Sequence, residues 1–216
     1  MVNIPELSIP RGESFGLVGN NGAGKTTFFR MILDLIRPTE GQVMSKEVAV
    51  NATEDWKFYT GSFLDESFLI DYLTPDEYFD FLASLHGYSP GDLKEFLNQF
   101  EDLFNGEILN NNKFIRDLSK GNQKKVGIVS ALMGNPEILI LDEPFANLDP
   151  TTQIRLKSLL KDLSQNAQLT MLISSHDLNH VTEVCERIVV MEKGVIQEDI
   201  QTSESTLKDL EAYFTL

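Results

Sequence analysis

A chain of 216 residues, 42% of them hydrophobic, is long enough to bury one globular core with a lobe inserted in it. Its 18 basic against 33 acidic residues give a net charge of −15, a field that repels nucleic acid and anionic membrane surfaces unless basic groups cluster locally. No apolar stretch approaches the ~18 residues that span a bilayer, the start lacks the basic and apolar regions of a signal peptide, and the one cysteine, Cys185, excludes an internal disulfide and has no partners at metal-ligand spacing. The composition therefore predicts a soluble, cytoplasmic chain without direct nucleic-acid binding or membrane insertion, in which Cys185 is a small residue of helix packing.

In chain order, VNIPELSIPRGES runs directly into an apolar strand (Phe15, Leu17, Val18), after which Gly19 to Thr26 fits G-x-x-x-x-G-K-[ST]. Phe28, Phe29, Met31, Ile32, Leu35 and Ile36 then recur at helical spacing until Pro38. Strand, loop and helix in that order are the context the loop requires. Gly19, Gly22 and Gly24 let the backbone turn so tightly that successive N–H groups point at an anion, and the helix beginning near Lys25 adds its positive end. Lys25 can reach β- and γ-phosphates, and the Thr26 hydroxyl is placed to ligate Mg²⁺.

A short β-like run, VMSKEVAV, follows, and from about residue 62 to 117 the composition shifts: eight of the fourteen Phe lie there, with twelve acidic residues against three basic ones. Two helices are predicted in this stretch. Thr74 caps the first, with Pro75 at its first position, Glu77 closing a capping box, Phe79, Leu82 and Leu85 on one face, and a stop at Gly87. The second carries a stripe of Leu93, Phe96, Leu97, Phe100, Leu103 and Phe104, the core of a small helical lobe. From residue 118 onward helices alternate with the strands EILIL and LTMLIS and a hairpin around IVVMEKGVIQ, which predicts parallel βα units.

Three further constellations carry chemistry. The run ILIL delivers Asp142 and Glu143 at the C-terminal edge of a buried strand, where open α/β sheets bind ligands. Beside a phosphate loop the two acids can divide the labour, Asp142 holding Mg²⁺ and Glu143 orienting and deprotonating an attacking water. His176, in LISSHD, follows another strand at the same edge and can donate to a γ-phosphate; His86 and His180 have no such placement and are expected to be structural. In LSKGNQKKV, Ser119 caps a helix with Val126, Val129 and Leu132 on its apolar face, so that Ser119, Gly121 and nearby N–H groups form a second anion-seeking helix end.

The ordered set GNNGAGKTT, LSKGN, ILILDEP, ANLDP and ISSH resembles the nucleotide-binding domain of ATP-binding-cassette (ABC) proteins over essentially the whole chain. The resemblance implies an α/β P-loop NTPase core (residues 1–61 and 118–216), with a mostly parallel sheet and an inserted α-helical subdomain (62–117), in a single domain of residues 1–216. It implies that Gly19, Asn20, Asn21, Gly22, Ala23, Gly24, Lys25, Thr26 and Thr27 form the Walker A loop, with Asp142 the Walker B acid, Glu143 the catalytic carboxylate, Asn147 to Asp149 the D-loop and His176 the switch histidine. Ser119, Lys120, Gly121 and Asn122 become the signature motif, which in this family closes on ATP held by a second, head-to-tail subunit. Lys120 and Asn122 replace the usual Gly and Gln there. The family's Q-loop glutamine is missing near FLDESF, which leaves Asp65 or Glu66 to contact Mg²⁺ or its water. Similar domains also begin with an extra strand and an aromatic residue that stacks on adenine; either a segment preceding this chain supplies that ring or adenine is held without it.

The reading that follows is an ATP- and Mg²⁺-dependent ATPase, working as a homodimer on a separate membrane-spanning transporter subunit at the inner face of the cell membrane. The form LSKGN resembles export-type subunits. A soluble, non-transport ABC-type ATPase and an ATP-sensing module with little turnover are the alternatives; tandem cassettes, coiled coils and basic extensions are missing for the first, while Glu143 and His176 argue against the second. The signature motif and the absence of N-K-x-D speak against a small-molecule kinase or GTPase.

Overall fold

A computed structural model describes residues 1–165, 169–203, 206, 207 and 210. The last residues of the expected domain, 211–216, lie outside the described residues. One six-stranded sheet organises the chain. Its strands are β1 (Ser14–Val18), β4 (Thr60–Phe63), β5 (Ile138–Leu141), β6 (Thr170–Ser175), β7 (Arg187–Glu192) and β8 (Val195–Gln201), in the order β4-β5-β6-β1-β7-β8. Every pairing is parallel except that of β7 with β8. The VMSKEVAV run folds as a separate two-stranded hairpin, β2 (Met44–Ser45) and β3 (Val48–Ala49), turning through Lys46 and Glu47 with φ of 48° and 66°.

Both faces of the sheet are covered, which is why its central strands read as unbroken apolar runs. Alternate residues serve opposite layers. Phe15, Leu17, Ile140, Leu172 and Val189 pack with Phe29 of α1 (Lys25–Ile32) and with Trp56. Leu139, Leu141, Met171, Ile173, Ile188 and Val190 pack on the other side with α5 (Lys120–Leu132), α6 (Pro150–Ser164) and α7 (Leu178–Val184). Cys185 ends α7, pressed against Gly16 of β1, where a Cβ would stand 3.2 Å from its own; burial pushes its thiol pKa up. It is the small packing residue the sequence predicts.

The stretch between β4 and α5 holds α2 (Pro75–His86), α3 (Pro90–Asn98) and α4 (Glu101–Phe104). Thr74 and Glu77 form the expected capping box, and Gly87 ends α2 in the left-handed region. Ser89 and Asp92 form a second box that starts α3. The expected single stripe is divided: α3 stops at Asn98 and α4 starts after Phe100, yet Leu93, Phe96, Phe100, Leu103 and Phe104 all remain buried, because the break rotates the second piece onto the same apolar cluster. That cluster is continuous with one face of the sheet, since Phe79, Phe96 and Phe104 join Val129, Leu139 and Ile173 in it. The helices of this stretch thus complete the core and do not form a separate one.

Helix α1 is shorter than its periodicity predicts. Leu33 caps it, Asp34 takes φ of 49°, and the N–H groups of Leu35 and Ile36 fold back on the Arg30 carbonyl. Leu33 is the last residue with sheet beneath it; Leu35 and Ile36 are 49% and 38% exposed.

Candidate functional site

The phosphate loop occupies the C-terminal edge of β1, as the sequence predicts. Gly24 precedes α1 with φ of 111°, a conformation that a side chain strains, and a Cβ at Gly19 would collide with the Met191 carbonyl of neighbouring β7. Asn20, Asn21 and Gly22 stand exposed at the crest, while Ala23 is buried and its carbonyl accepts 2.7 Å from the Gly194 N–H. Helix α1 begins without a side-chain cap and without an acid in its first turn. Its leading N–H groups, including those of Lys25, Thr26 and Thr27, are therefore left for an anion.

Lys25 is buried and donates 2.5 Å to the Gly19 carbonyl. Its ammonium is also 3.2 Å from Glu143 Oε1. Thr26 Oγ1 donates 2.5 Å to Asp142 Oδ2, which joins the loop to the end of β5. Asp142 is buried, and its other oxygen accepts from Ser174 Oγ on β6. A hydroxyl paired with a carboxylate at the mouth of a phosphate loop is a donor set that suits Mg²⁺. Glu143 Oε1 is buried, and the Lys25 ammonium 3.2 Å away is the charge that faces it.

Glu143 is held in a strained turn. Its φ is 48°, in the left-handed region that non-glycine residues seldom adopt. Its N–H donates 2.9 Å to Ser174 Oγ, and its carbonyl accepts 2.7 Å from Lys124 Nζ. Its carboxylate meets His176: Oε2 lies 2.8 Å from the ring Nδ1 and accepts 3.3 Å from the His176 N–H. The structure thus brings Lys25, Thr26, Asp142, Glu143 and His176 together at one sheet edge.

Other expected residues are placed elsewhere. Asp65 caps the short 3₁₀ turn Glu66–Phe68, accepting from the N–H and hydroxyl of Ser67, and is 3.9 Å from Arg30. Of the two acids weighed for the missing glutamine, Glu66 is the one whose charge acts on Lys124, beside Asp142 and Glu143. Asp149 caps α6, accepting from the Thr152 N–H at 3.0 Å and its hydroxyl at 2.6 Å, and these bonds hold its carboxyl below the usual aspartate range. Ser119 caps α5 through the Asn122 N–H at 3.2 Å, and exposed Lys120 reaches Gln123 Oε1 at 3.3 Å. Gly121 packs so closely on the Asn147 carbonyl that a Cβ there would stand 3.2 Å from it. His180 stacks on Phe145 with ring centroids 4.6 Å apart, and burial pushes its pKa down, in keeping with a structural role.

Two contributors were not singled out from the sequence. Ser174 interrupts a strand whose faces are both buried, a signal that its hydroxyl has a partner. Lys124 lies four residues before Ile128, on the buried side of α5, a position where a lysine requires an explanation.

Residues 2–146 match the ABC transporter family. Among curated proteins, the chain is 40% identical over 189 residues to YhaQ of Bacillus subtilis (strain 168), an uncharacterized ABC transporter ATP-binding protein; the match covers 88% of this chain and 62% of that protein. It is 35% identical over 207 residues to the bacitracin transport ATP-binding protein BcrA of Enterococcus faecalis, covering 94% and 65%. To the methionine import ATP-binding protein MetN of Carboxydothermus hydrogenoformans it is 32% identical over 202 residues, covering 91% and 60%. The chain therefore spans less than two thirds of the length of these relatives. Among solved structures, the ATP-binding cassette MJ0796, as a dimer in a post-hydrolysis state bound to ADP and phosphate, superimposes with a TM-score of 0.79 at 28% identity, covering 91% of this chain and 88% of that one.

Proposed function

Because the chain belongs to the ABC transporter family, we propose that it hydrolyses ATP as the energy-coupling subunit of a transporter, in a head-to-tail dimer on a separate membrane-spanning subunit. The observation that carries this reading is the meeting of Lys25, Thr26, Asp142, Glu143 and His176 at one sheet edge. Thr26 and Asp142 would hold Mg²⁺, which supplies charge neutralisation on the phosphates. Lys25 and the open N–H groups of α1 bind and orient the triphosphate. Glu143 positions water and takes its proton, and His176, 2.8 Å from that carboxylate, fixes its orientation.

Apart from the phosphate loop and the acids, the reading draws on likeness. Ser119 to Asn122 present a capped, positive helix start beside the Asn147 carbonyl, suited to an anion held by a second subunit. The dimeric cassette that it resembles supports the same arrangement. No helix among the described residues is long and apolar enough to cross a membrane; the placement at the cytoplasmic face, on a separate spanning subunit, rests on the family likeness. Export is the direction that the form LSKGN supports; relatives include both a bacitracin transport protein and a methionine import protein.

A phosphate-release assay tests the reading. The purified chain should release phosphate from ATP only with Mg²⁺, and Lys25→Ala should abolish the release. ATP binding without release would make it a sensing module instead.

A further inference from the structure

One buried lysine takes no part in the phosphate-binding machinery. Lys124 is 5% exposed, and its ammonium donates 2.7 Å to the carbonyl of Glu143. A lysine is seldom taken fully out of water, and the cost is met only where its charge and donors find partners. Here the partner is a backbone atom of the residue read as the general base.

We propose that Lys124 is a positioning residue for hydrolysis, clamping the left-handed turn that aims the Glu143 carboxylate. This rests on the reading of Glu143 as the base. The turn needs a clamp because φ of 48° costs energy in a residue with a side chain, and such a conformation persists only where the surroundings over-determine it. Three bonds do so: the Glu143 N–H on Ser174 Oγ at 2.9 Å, the Ala146 N–H on the Glu143 carbonyl at 3.2 Å, and Lys124 on that same carbonyl. Of these, only the bond from Lys124 reaches the turn from α5.

That origin matters. Helix α5 begins with Ser119 to Asn122, and its Gly121 packs on the Asn147 carbonyl, so the run from Glu143 to Asn147 lies along the first turns of this helix. Lys124 and Gly121 both hold the turn against the start of the helix. Burial pushes the pKa of this ammonium down, and the negative charges of Glu66, Glu143 and Asp142 act against that. A displacement of the carboxylate by about 1 Å is enough to cost up to ~10²-fold in rate, so a clamp on its backbone acts on turnover and not on phosphate binding.

The test compares Lys124→Met, Lys124→Gln and Glu143→Gln in the whole chain, with steady-state MgATP hydrolysis, binding of a fluorescent ATP analogue and a thermal melt. Lys124→Met keeps the length and loses the donor; kcat should fall by about 10- to 100-fold with KM and analogue affinity within about twofold of wild type. Lys124→Gln restores an uncharged donor and should recover part of that loss. The proposal fails if Lys124→Met turns over within about twofold of wild type, or if its loss of kcat is matched by an equal loss of nucleotide affinity. Should Lys124→Met not fold, Lys124→Leu serves as the variant without a donor: a drop in kcat at unchanged KM upholds the clamp, and wild-type kcat overturns it. Full turnover in Glu143→Gln removes the general-base reading and the clamp with it, whereas an inactive Glu143→Gln beside a fully active Lys124→Met removes the clamp alone.

Discussion

Glu143 carries two demands at once, an unfavourable backbone and a carboxylate shared between Lys25 and His176. If it is the base, Glu143→Gln keeps the shape and the contact to Lys25 while losing the proton acceptor, so ATP binding should persist and turnover should fall by about 10² to 10⁴. Turnover within a factor of two in a phosphate-release assay would refute that role. The residues of the phosphate loop are legible in the sequence because eight consecutive positions specify one backbone shape. Asp142 and Glu143 are legible because a strand end fixes where they point. Ser174 and Lys124 were not, because each acquires its role from a partner 31 or 19 residues away that no local pattern encodes. Asp65 carries a local bond as well: its Oδ1 accepts from the N–H of Ser67, a cap that the sequence reading did not include.

Elements follow the sequence where their ends are chemically marked and depart from it where burial decides. Thr74, Pro75, Glu77 and Gly87 delimit α2 as read, since each satisfies a backbone group or a dihedral that a helix end requires. Helix α1 stops early because apolar spacing continues past the edge of the sheet that would bury it, and the Phe-rich stripe breaks at Phe100 although its side chains stay inside. Helix α5 adds a demand that periodicity alone hides: Lys125 is 3% exposed, and its ammonium pairs with Glu107 at 3.2 Å. That bond holds the Glu107 carboxyl below the usual glutamate range, and the folded form is favoured while the carboxylate is ionised. The contribution is present above the unfolded glutamate pKa of about 4.3 and is lost as pH falls through the lower folded value. Glu107→Gln leaves the buried ammonium without its counter-charge; because Glu107 itself is half in solvent, we expect a loss of about 1 to 2 kcal/mol at neutral pH. Urea melts of the two proteins should converge as the pH drops below about 4, and a gap that widened there would contradict the pairing.

At the scale of the whole molecule, the alternation of helices and apolar strands after residue 118 made the parallel sheet legible, and the last hairpin supplied its one antiparallel edge. What alternation does not encode is that the helices after β4 share a core with the sheet, because that depends on which faces meet. The dimer reading predicts complementation: a Ser119→Arg chain mixed with a Lys25→Ala chain yields one composite site with both defects and one with neither, so mixtures should regain activity that each variant lacks. Heterodimers that form and stay inactive would count against shared sites. A last prediction concerns where the proposed membrane-spanning partner would dock. Phe63, Phe79, Phe96, Phe100 and Phe104 are buried, but Phe68, Phe81 and Phe114 remain exposed. Phe68, 51% exposed, joins Leu33, Leu35, Trp56 and Leu64 in a groove of about 340 Å³ whose lining also holds Asp34 and Lys57. Three residues of that lining, Ser62, Leu64 and Phe68, come from the acidic stretch of residues 62 to 117, so the groove joins the end of α1 to the start of the helical insertion. An apolar groove of this size suits the apolar face of a short amphipathic segment. Leu35→Glu with Phe68→Glu adds charge to the groove floor without touching Lys25, Thr26, Asp142 or Glu143. Basal hydrolysis by the isolated chain should then stay within about twofold of wild type, while ATP-driven transport by the reconstituted complex falls by about tenfold or more, the effect of losing roughly 1.4 kcal/mol of docking energy. Transport that survives both substitutions would place the contact on another face.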